Sequence, residues 1–161
     1  MLIREATDAD WPTIWPIFRA IVRAADTYCY DPDMDEPTAR TTWMLQPPGR
    51  TFVALDNDVV VGTAKSHPNQ SGPGSHVATA SFMVAPSARG RGVGRALGED
   101  AIAWAAASGY RAMQFNAVVE TNTRAVALWQ SVGFEVVGTV PEAFAHPDFG
   151  FVALHVMHRH L

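Results

Sequence analysis

A turn rich in glycine and arginine joins a predicted strand to a predicted helix; it reads Ala85-Pro86-Ser87-Ala88-Arg89-Gly90-Arg91-Gly92-Val93-Gly94-Arg95-Ala96-Leu97. Glycine lets the main chain approach a ligand closely, and the first turn of a helix offers unpaired N–H groups and the positive end of its dipole. Three arginines, Arg89, Arg91 and Arg95, add full positive charges. The turn is therefore predicted to bind a phosphate or a pyrophosphate.

Spacing separates three phosphate-binding patterns. A Walker loop needs Gly-Lys-Ser/Thr after four intervening residues, which is absent, and the dinucleotide fingerprint needs a third glycine where Arg95 or Leu97 stands. The spacing that fits is Arg/Gln-x-x-Gly-x-Gly/Ala, filled here by Arg89, Gly92 and Gly94. It resembles the pyrophosphate-binding motif of the GCN5-related N-acetyltransferase (GNAT) family.

A second block strengthens this resemblance. The pattern Asn122-x-x-Ala125-x-x-Leu128-Trp129-x-x-x-Gly133-Phe134 is similar to the family's later Asn-x-x-Ala-x-x-Leu-Tyr-x-x-x-Gly-Phe segment. The separation of the two blocks also matches, and the resemblance extends from Ile3 to Met157. Trp43 and the segment Leu154-His155-Val156-Met157 add a likeness to amino-acid and phosphinothricin acetyltransferases, which implies small primary amines as acceptors.

Hydrophobic periodicity predicts the elements around these blocks. The predicted strands are 2–6, 51–55, 59–66, 76–84, 111–119, 134–140 and 151–157, and the predicted helices are 8–25, 37–46, 92–108 and 121–131. This order combines hairpins with one strand–helix–strand crossover, so we expect an α/β (α+β) fold with a mostly antiparallel mixed sheet and helices on both faces. Residues 1–161 are expected to form a single domain.

Composition excludes several classes of function. The chain has 161 residues, 48% of them hydrophobic, and a formal net charge of −4, which gives no reason to expect nucleic acid or anionic membrane as a partner. Charges near the start, in Met1-Leu2-Ile3-Arg4-Glu5-Ala6, disfavour a secretory signal, so a cytoplasmic protein is expected. The single cysteine, Cys29, excludes an internal disulfide and a cysteine zinc cage.

The resemblance implies acetyl-CoA as the acyl donor and assigns residues to it. The strand before the glycine turn would bulge and splay from the next strand, so that the pantetheine arm binds the main chain of Met83 and Val84. The turn residues Arg89, Gly90, Arg91, Gly92, Val93, Gly94 and Arg95 would hold the pyrophosphate. Asn122 would hydrogen-bond the cofactor, although an N-terminal helix cap is the competing role for an asparagine there.

The reaction implied is direct attack of an amine on the thioester, which requires a base and is helped by an acid. Family members place a tyrosine where Trp129 stands, and an indole N–H is not a usable acid, so we interpret Trp129 as a packing residue beside the cofactor. No glutamate lies on the strand before the glycine turn. His76 is the nearest titratable candidate for the base, with a solvated side chain as the alternative. Four further titratable residues lie in predicted loops that could border the same pocket and are not ranked: Asp33, Glu36, His67 and His146.

An acidic segment, Asp26–Glu36, lies between the first two helices, where family members cover the acceptor. Its five acids would attract a cationic amine, although a solvated loop explains them equally well. Amino-acid acceptors carry a carboxylate that would need an arginine such as Arg40 nearby, so charge alone does not choose between amino acids and polyamines. The predicted substrate contacts are Tyr28, Tyr30, Asp31, Asp33 and Glu36.

No metal site is predicted. On a strand His155 faces away from His158 and His160, and no carboxylate accompanies them. Two alternatives to a small-molecule N-acetyltransferase stay open: an acyl-CoA sensor with weak or no catalysis, and an acetyltransferase of protein or peptide N-termini. The sequence leaves open a homodimer and acyl donors other than acetyl-CoA.

Overall fold

The computed structural model describes all residues, 1–161, as seven strands in one sheet and four α-helices. In chain order the elements are β1 (Leu2–Glu5), α1 (Trp11–Ala24), α2 (Glu36–Trp43), β2 (Arg50–Asp56), β3 (Val59–Pro68), β4 (Val77–Val84), α3 (Val93–Ala107), β5 (Ala112–Val119), α4 (Thr123–Ser131), β6 (Glu135–His146) and β7 (Gly150–His160). This is the predicted order of strands and helices. None of the helices is both long and apolar enough to span a membrane.

The sheet is mixed, with the strand order β1-β2-β3-β4-β5-β7-β6. Every neighbouring pair is antiparallel except β4 and β5, which run parallel because α3 carries the chain back across the sheet between them. The predicted fold class, a mostly antiparallel mixed sheet, is confirmed. The single parallel pair is also the shortest pairing in the sheet, with two paired positions.

Several elements differ in length from the prediction, and two of these differences are traced to particular contacts. Helix α2 ends at Trp43 rather than at residue 46, because Leu45 already donates its backbone N–H to the Thr51 hydroxyl, 3.0 Å away. Strand β6 continues past Pro141 to His146, with a register shift between Val140 and Phe144. Proline is unfavourable inside a strand, so the prediction ended β6 too early. Pairing with β7 continues the strand beyond the register shift.

Helices cover both faces of the central strands. On one face Trp43 of α2 donates its indole N–H to the Thr63 hydroxyl of β3, 3.0 Å away. On the other face α3 approaches so closely that a Cβ added at Gly62 would lie 2.7 Å from Cγ1 of Val93. Because side chains alternate along a strand, Lys65 and His67 lie on the face of α1 and α2, whereas Phe82 of β4 lies on the face of α3 and α4.

Candidate active site

The central strands separate between β4 and β5. These strands pair only at Val77↔Ala112 and Ala78↔Met113, and then diverge. The resulting cleft has a volume of about 480 Å³. The expected splay is present, but the expected bulge in β4 is not, because β4 keeps a regular register with β3. The register shift occurs instead in β5, between Phe115 and Val118.

Backbone groups of β4 face this cleft. Ala85 donates to the carbonyl of Val61, and the carbonyl of Val77 accepts from Asn69, so the odd-numbered residues of β4 bond to β3. Antiparallel hydrogen bonds alternate, and the N–H and C=O of Phe82 and Val84 therefore point the other way, into the cleft.

This alternation separates the two residues expected to bind the pantetheine arm. Val84 presents its backbone to the cleft, whereas the backbone of Met83 is directed to Thr63, its partner on β3. Phe82 takes the place of Met83 as the second residue with outward-facing polar groups.

The hydroxyl of Tyr28 already occupies the outward-facing groups of Phe82. It donates to the Phe82 carbonyl oxygen at 2.6 Å and accepts from the Phe82 N–H at 3.0 Å. Burial, with a smaller contribution from Tyr30, raises the pKa of Tyr28, so its hydroxyl stays protonated at physiological pH. Tyr28 and Tyr30, both predicted substrate contacts, line the cleft.

The glycine turn presents an anion-binding surface. Gly92 is the N-cap of α3 with φ +80°, a left-handed conformation that favours glycine. The first bond inside the helix runs from Ala96 N to Gly92 O, 3.0 Å. Between Arg89 and Ala96, five backbone N–H groups have no protein acceptor: those of Gly90, Gly92, Val93, Gly94 and Arg95.

The three arginines of the turn are not equivalent. Arg89 lines the cleft and forms no ion pair within the protein. Arg91 pairs with Asp56, the last residue of β2. Arg95 contacts Glu99 at 3.3 Å and the hydroxyl of Ser131 at 2.7 Å. Arg89 is therefore the guanidinium best placed to meet an incoming anion.

Asn122 lies at the cleft and caps α4, where its Oδ1 accepts the N–H of Ala125 at 3.3 Å. The capping role proposed as its alternative is therefore observed. Asn122 also lies on the cleft wall, and its contact with the cofactor stays a prediction.

Trp129 forms part of the cleft wall and is 7% exposed. Its ring lies 4.6 Å from that of Phe82 and 5.0 Å from that of Phe115, measured between centroids. The ring also packs against Gly98, where an added Cβ would be 2.7 Å from Cζ3. These contacts support the packing role predicted for the tryptophan.

His76 is not among the residues that line the cleft. It precedes β4 at the end where β4 and β5 still pair, beside Tyr110, His158 and His160, and its Nδ1 lies 3.0 Å from the Pro73 carbonyl oxygen. About 20 Å of extended strand separates position 76 from position 82, at 3.3 Å per residue. The structure therefore does not bring His76 to the open edge of β4.

The acidic residues of the predicted substrate loop also lie outside the cleft lining. Asp31 accepts the backbone N–H of Asp33 at 2.9 Å, and Glu36 accepts the indole N–H of Trp11 at 3.0 Å. Asp33 is exposed. These carboxylates stabilise or flank the loop before α2. They do not form a pocket for a positively charged acceptor.

Two ionisable side chains of β3, Lys65 and His67, line the cleft on the face of α1 and α2. The sequence did not single out Lys65, and it placed His67 in a loop bordering the pocket rather than on a strand. Burial lowers the pKa of Lys65 to about 8. Burial and the nearby Lys65 lower the pKa of His67, against an opposing effect of the Pro68 carbonyl. Their period-two spacing on β3 was the available signal, but it is equally typical of an ordinary strand.

Comparison with known proteins gives the family. Residues 12–134 match the profile of the acetyltransferase (GNAT) family. Because this match covers most of the chain, the protein belongs to that family.

Solved structures agree with this assignment. A GCN5-related N-acetyltransferase from Kribbella flavida is 61% identical with a TM-score of 0.97, over 99% of this chain and 97% of that one. A ribosomal-protein-alanine N-acetyltransferase from Brucella melitensis is 29% identical with a TM-score of 0.88, over 100% of both chains. The protein yncA from Salmonella typhimurium, solved with its cofactor acetyl-CoA, is 27% identical with a TM-score of 0.85, over 100% of this chain and 94% of that one.

Among curated proteins, the N-acetyltransferase aca1 of Schizosaccharomyces pombe is 32% identical over 84 residues. The match covers 52% of this chain and 40% of aca1, so the shared part is less than half of that relative.

Proposed function

We propose that this protein transfers the acetyl group of acetyl-CoA to the amine of a small molecule. The observation that carries the proposal is the cleft between β4 and β5, which runs from Arg89, beside the free N–H groups of α3, to Lys65 and His67. One end suits a pyrophosphate and the other suits an amine acceptor. The yncA structure, which contains acetyl-CoA, supports the choice of donor.

The residues present fit the donor along its length. The unpaired N–H groups at the start of α3 and the guanidinium of Arg89 would hold the pyrophosphate. The outward-facing backbone of Val84 and Phe82 would pair with the amide groups of the pantetheine arm and with the thioester carbonyl. Asn122 would contact the arm from the α4 side while it caps the helix.

His67 is the proposed general base in place of His76. Its Nδ1 lies 2.8 Å from the carbonyl oxygen of Pro68, which can only accept, so the neutral ring carries its proton on Nδ1. The Nε2 lone pair is then free to take a proton, directly or through water. Because the pKa of His67 is lowered, the neutral form predominates at pH 7.

The proposed reaction is direct. The amine nitrogen bonds to the thioester carbonyl carbon, the C–S bond breaks, and the nitrogen loses a proton while the thiolate gains one from solvent. Partial burial raises the pKa of the Cys29 thiol, which disfavours an acetyl-cysteine intermediate. The indole N–H of Trp129 is not a usable acid. Because a thiol has a pKa of about 8.5, the CoA thiolate can leave without a dedicated proton donor.

The test is release of free CoA from acetyl-CoA in the presence of amino acids, polyamines, amine-bearing antibiotics and short peptides. We expect one class of small amine to stimulate release well above background, and His67→Gln to reduce that rate while His76→Gln does not. If acetyl-CoA binds and no amine stimulates release, the protein is an acyl-CoA sensor.

Acetylation of a peptide N-terminus is the second candidate. The similarity to the Brucella melitensis ribosomal-protein-alanine N-acetyltransferase over both whole chains favours it. In the free protein Tyr28 covers the edge of the cleft at Phe82, so a peptide, like the donor, would bind there only after this side chain moves. Peptides that outcompete every free amine in the same assay would establish this second function.

A further inference from the structure

The cleft has an unbalanced charge. Its lining includes Lys65 and Arg89 but no aspartate or glutamate. Arg89 lies at the end assigned to the pyrophosphate, so the donor accounts for its charge. Lys65 lies at the other end, and nothing in the protein neutralises it.

Lys65 is held in place by its surroundings. The residue is 7% exposed, and its ammonium group donates to the Thr42 carbonyl oxygen at 2.8 Å. The nitrogen also lies 5.5 Å from the ring centroid of Trp43 and 5.8 Å from that of Tyr30. These contacts fix the ammonium without giving it a counter-charge.

No carboxylate lies within 4 Å of the Lys65 nitrogen. An ammonium has three donors, and the Thr42 carbonyl uses one of them. A buried charge without a partner is costly, and an anion that enters the cleft would relieve that cost. The site therefore has a built-in preference for a negatively charged group next to the reacting amine.

We infer that Lys65 binds a carboxylate of the acceptor, so that the acceptors are amines carrying a carboxylate, such as amino acids, and not polyamines. This inference rests on the proposed function, because it describes the acceptor end of the same cleft. The sequence left amino acids and polyamines open as acceptors, and the acidic segment before α2 does not favour polyamines because its carboxylates do not line the cleft.

The spacing along β3 and β4 suits such an acceptor. Lys65 pairs with Ser81, the neighbour of Phe82, and His67 follows on the same face. Residues two apart on a strand are separated by about 7 Å. A compact molecule with its carboxylate at Lys65 can therefore place its amine between the base at His67 and the thioester at Phe82.

The test uses matched acceptors and matched variants. For the best amino acid in the CoA-release assay, kcat/KM is compared with that of its carboxamide and of its decarboxylated amine. We expect the wild type to prefer the carboxylate by about tenfold or more, as for a lost charge-assisted hydrogen bond. Lys65→Met removes the preference and Lys65→Arg keeps part of it, whereas Arg89→Met weakens acetyl-CoA binding and keeps the preference.

The pH dependence of the wild type gives a readout that does not depend on a variant folding. The pKa of Lys65 is about 8, so KM for the amino acid rises as the pH passes 8, while KM for its carboxamide shows no such rise. Calorimetric binding of acetyl-CoA to Lys65→Met checks that the variant is folded.

The outcomes separate this inference from the proposed function. If no amine stimulates CoA release, the proposed function fails. If amines are acetylated but the carboxamide reacts as well as the amino acid, or Lys65→Met keeps the preference, only the role of Lys65 is overturned.

Discussion

The hydroxyl of Tyr28 lies between the backbone N–H and C=O of Phe82, 3.0 Å from the nitrogen and 2.6 Å from the oxygen. These two groups are the ones that β5 would bond if the strands had not separated. A side chain thus stands in for the missing strand on the open edge of β4. A ligand that pairs with Phe82 must first displace the Tyr28 hydroxyl.

Tyr28→Phe is expected to lower the free energy of unfolding of the free protein by about 1–2 kcal/mol, because it leaves the backbone groups of Phe82 unpaired in a half-buried site. With saturating acetyl-CoA the loss shrinks, since the pantetheine arm then pairs with Phe82. Denaturant unfolding of both proteins, with and without acetyl-CoA, measures the difference. Equal losses in both conditions mean that the arm does not bind Phe82.

Arg89→Ala is expected to weaken acetyl-CoA binding by about fivefold to tenfold, because Arg89 has no carboxylate partner and can give its full charge to the pyrophosphate. Arg95→Ala weakens binding less, since Arg95 already contacts Glu99 and Ser131. Calorimetric titration at two salt concentrations measures both effects. Arg23→Ala, on α1, is the control for a general change in charge. A larger effect from Arg95 than from Arg89 would contradict this assignment of the anion site.

His67→Gln is expected to reduce kcat/KM by about a hundredfold, the usual contribution of a general base. In the wild type, activity depends on the neutral ring, which predominates above the pKa of His67 and is lost as the pH falls below it. Burial lowers that pKa, so the acid limb lies below 6.5, the ordinary value. A pH–rate profile locates the limb. A profile of unchanged shape in His67→Gln would exclude His67 as the base.

Much of the fold was predictable because it depends on local patterns. The spacing of Arg89, Gly92 and Gly94 gave the start of α3, and hydrophobic periodicity gave the order of strands and helices. The acceptor end was not predictable in the same way. Tyr28 contacts Phe82 from 54 residues away, a distance over which no periodicity operates.

The choice of base illustrates the same limit. His76 is near the glycine turn in sequence, but an extended strand carries it to the far end of β4. Lys65 and His67 are on a different strand, and register alone places them opposite Ser81 and Thr79. A strand's register depends on turns and partners, so the composition of the pocket follows from tertiary structure and not from any single segment.

Gly98→Ala tests the packing of Trp129, because the new Cβ would lie 2.7 Å from Cζ3 of the indole ring. The ring is confined by Phe82 and Phe115, so it cannot move without widening the gap between β4 and β5. We expect a loss of about 1–3 kcal/mol in the free energy of unfolding, typical of overpacking, together with weaker acetyl-CoA binding. Gly138→Ala is the matched control, since nothing lies within 4 Å of its added Cβ.

The smaller ring of Trp129→Phe should relieve the clash, so the double variant with Gly98→Ala is expected to be more stable than the sum of the two single losses predicts. Urea unfolding of the four proteins in this cycle measures the coupling between the two positions. Strictly additive losses would show that the tryptophan does not transmit the strain from α3 to the cleft. The same Trp129→Phe variant should keep the pH–rate profile of the wild type, since the indole donates no proton in the reaction.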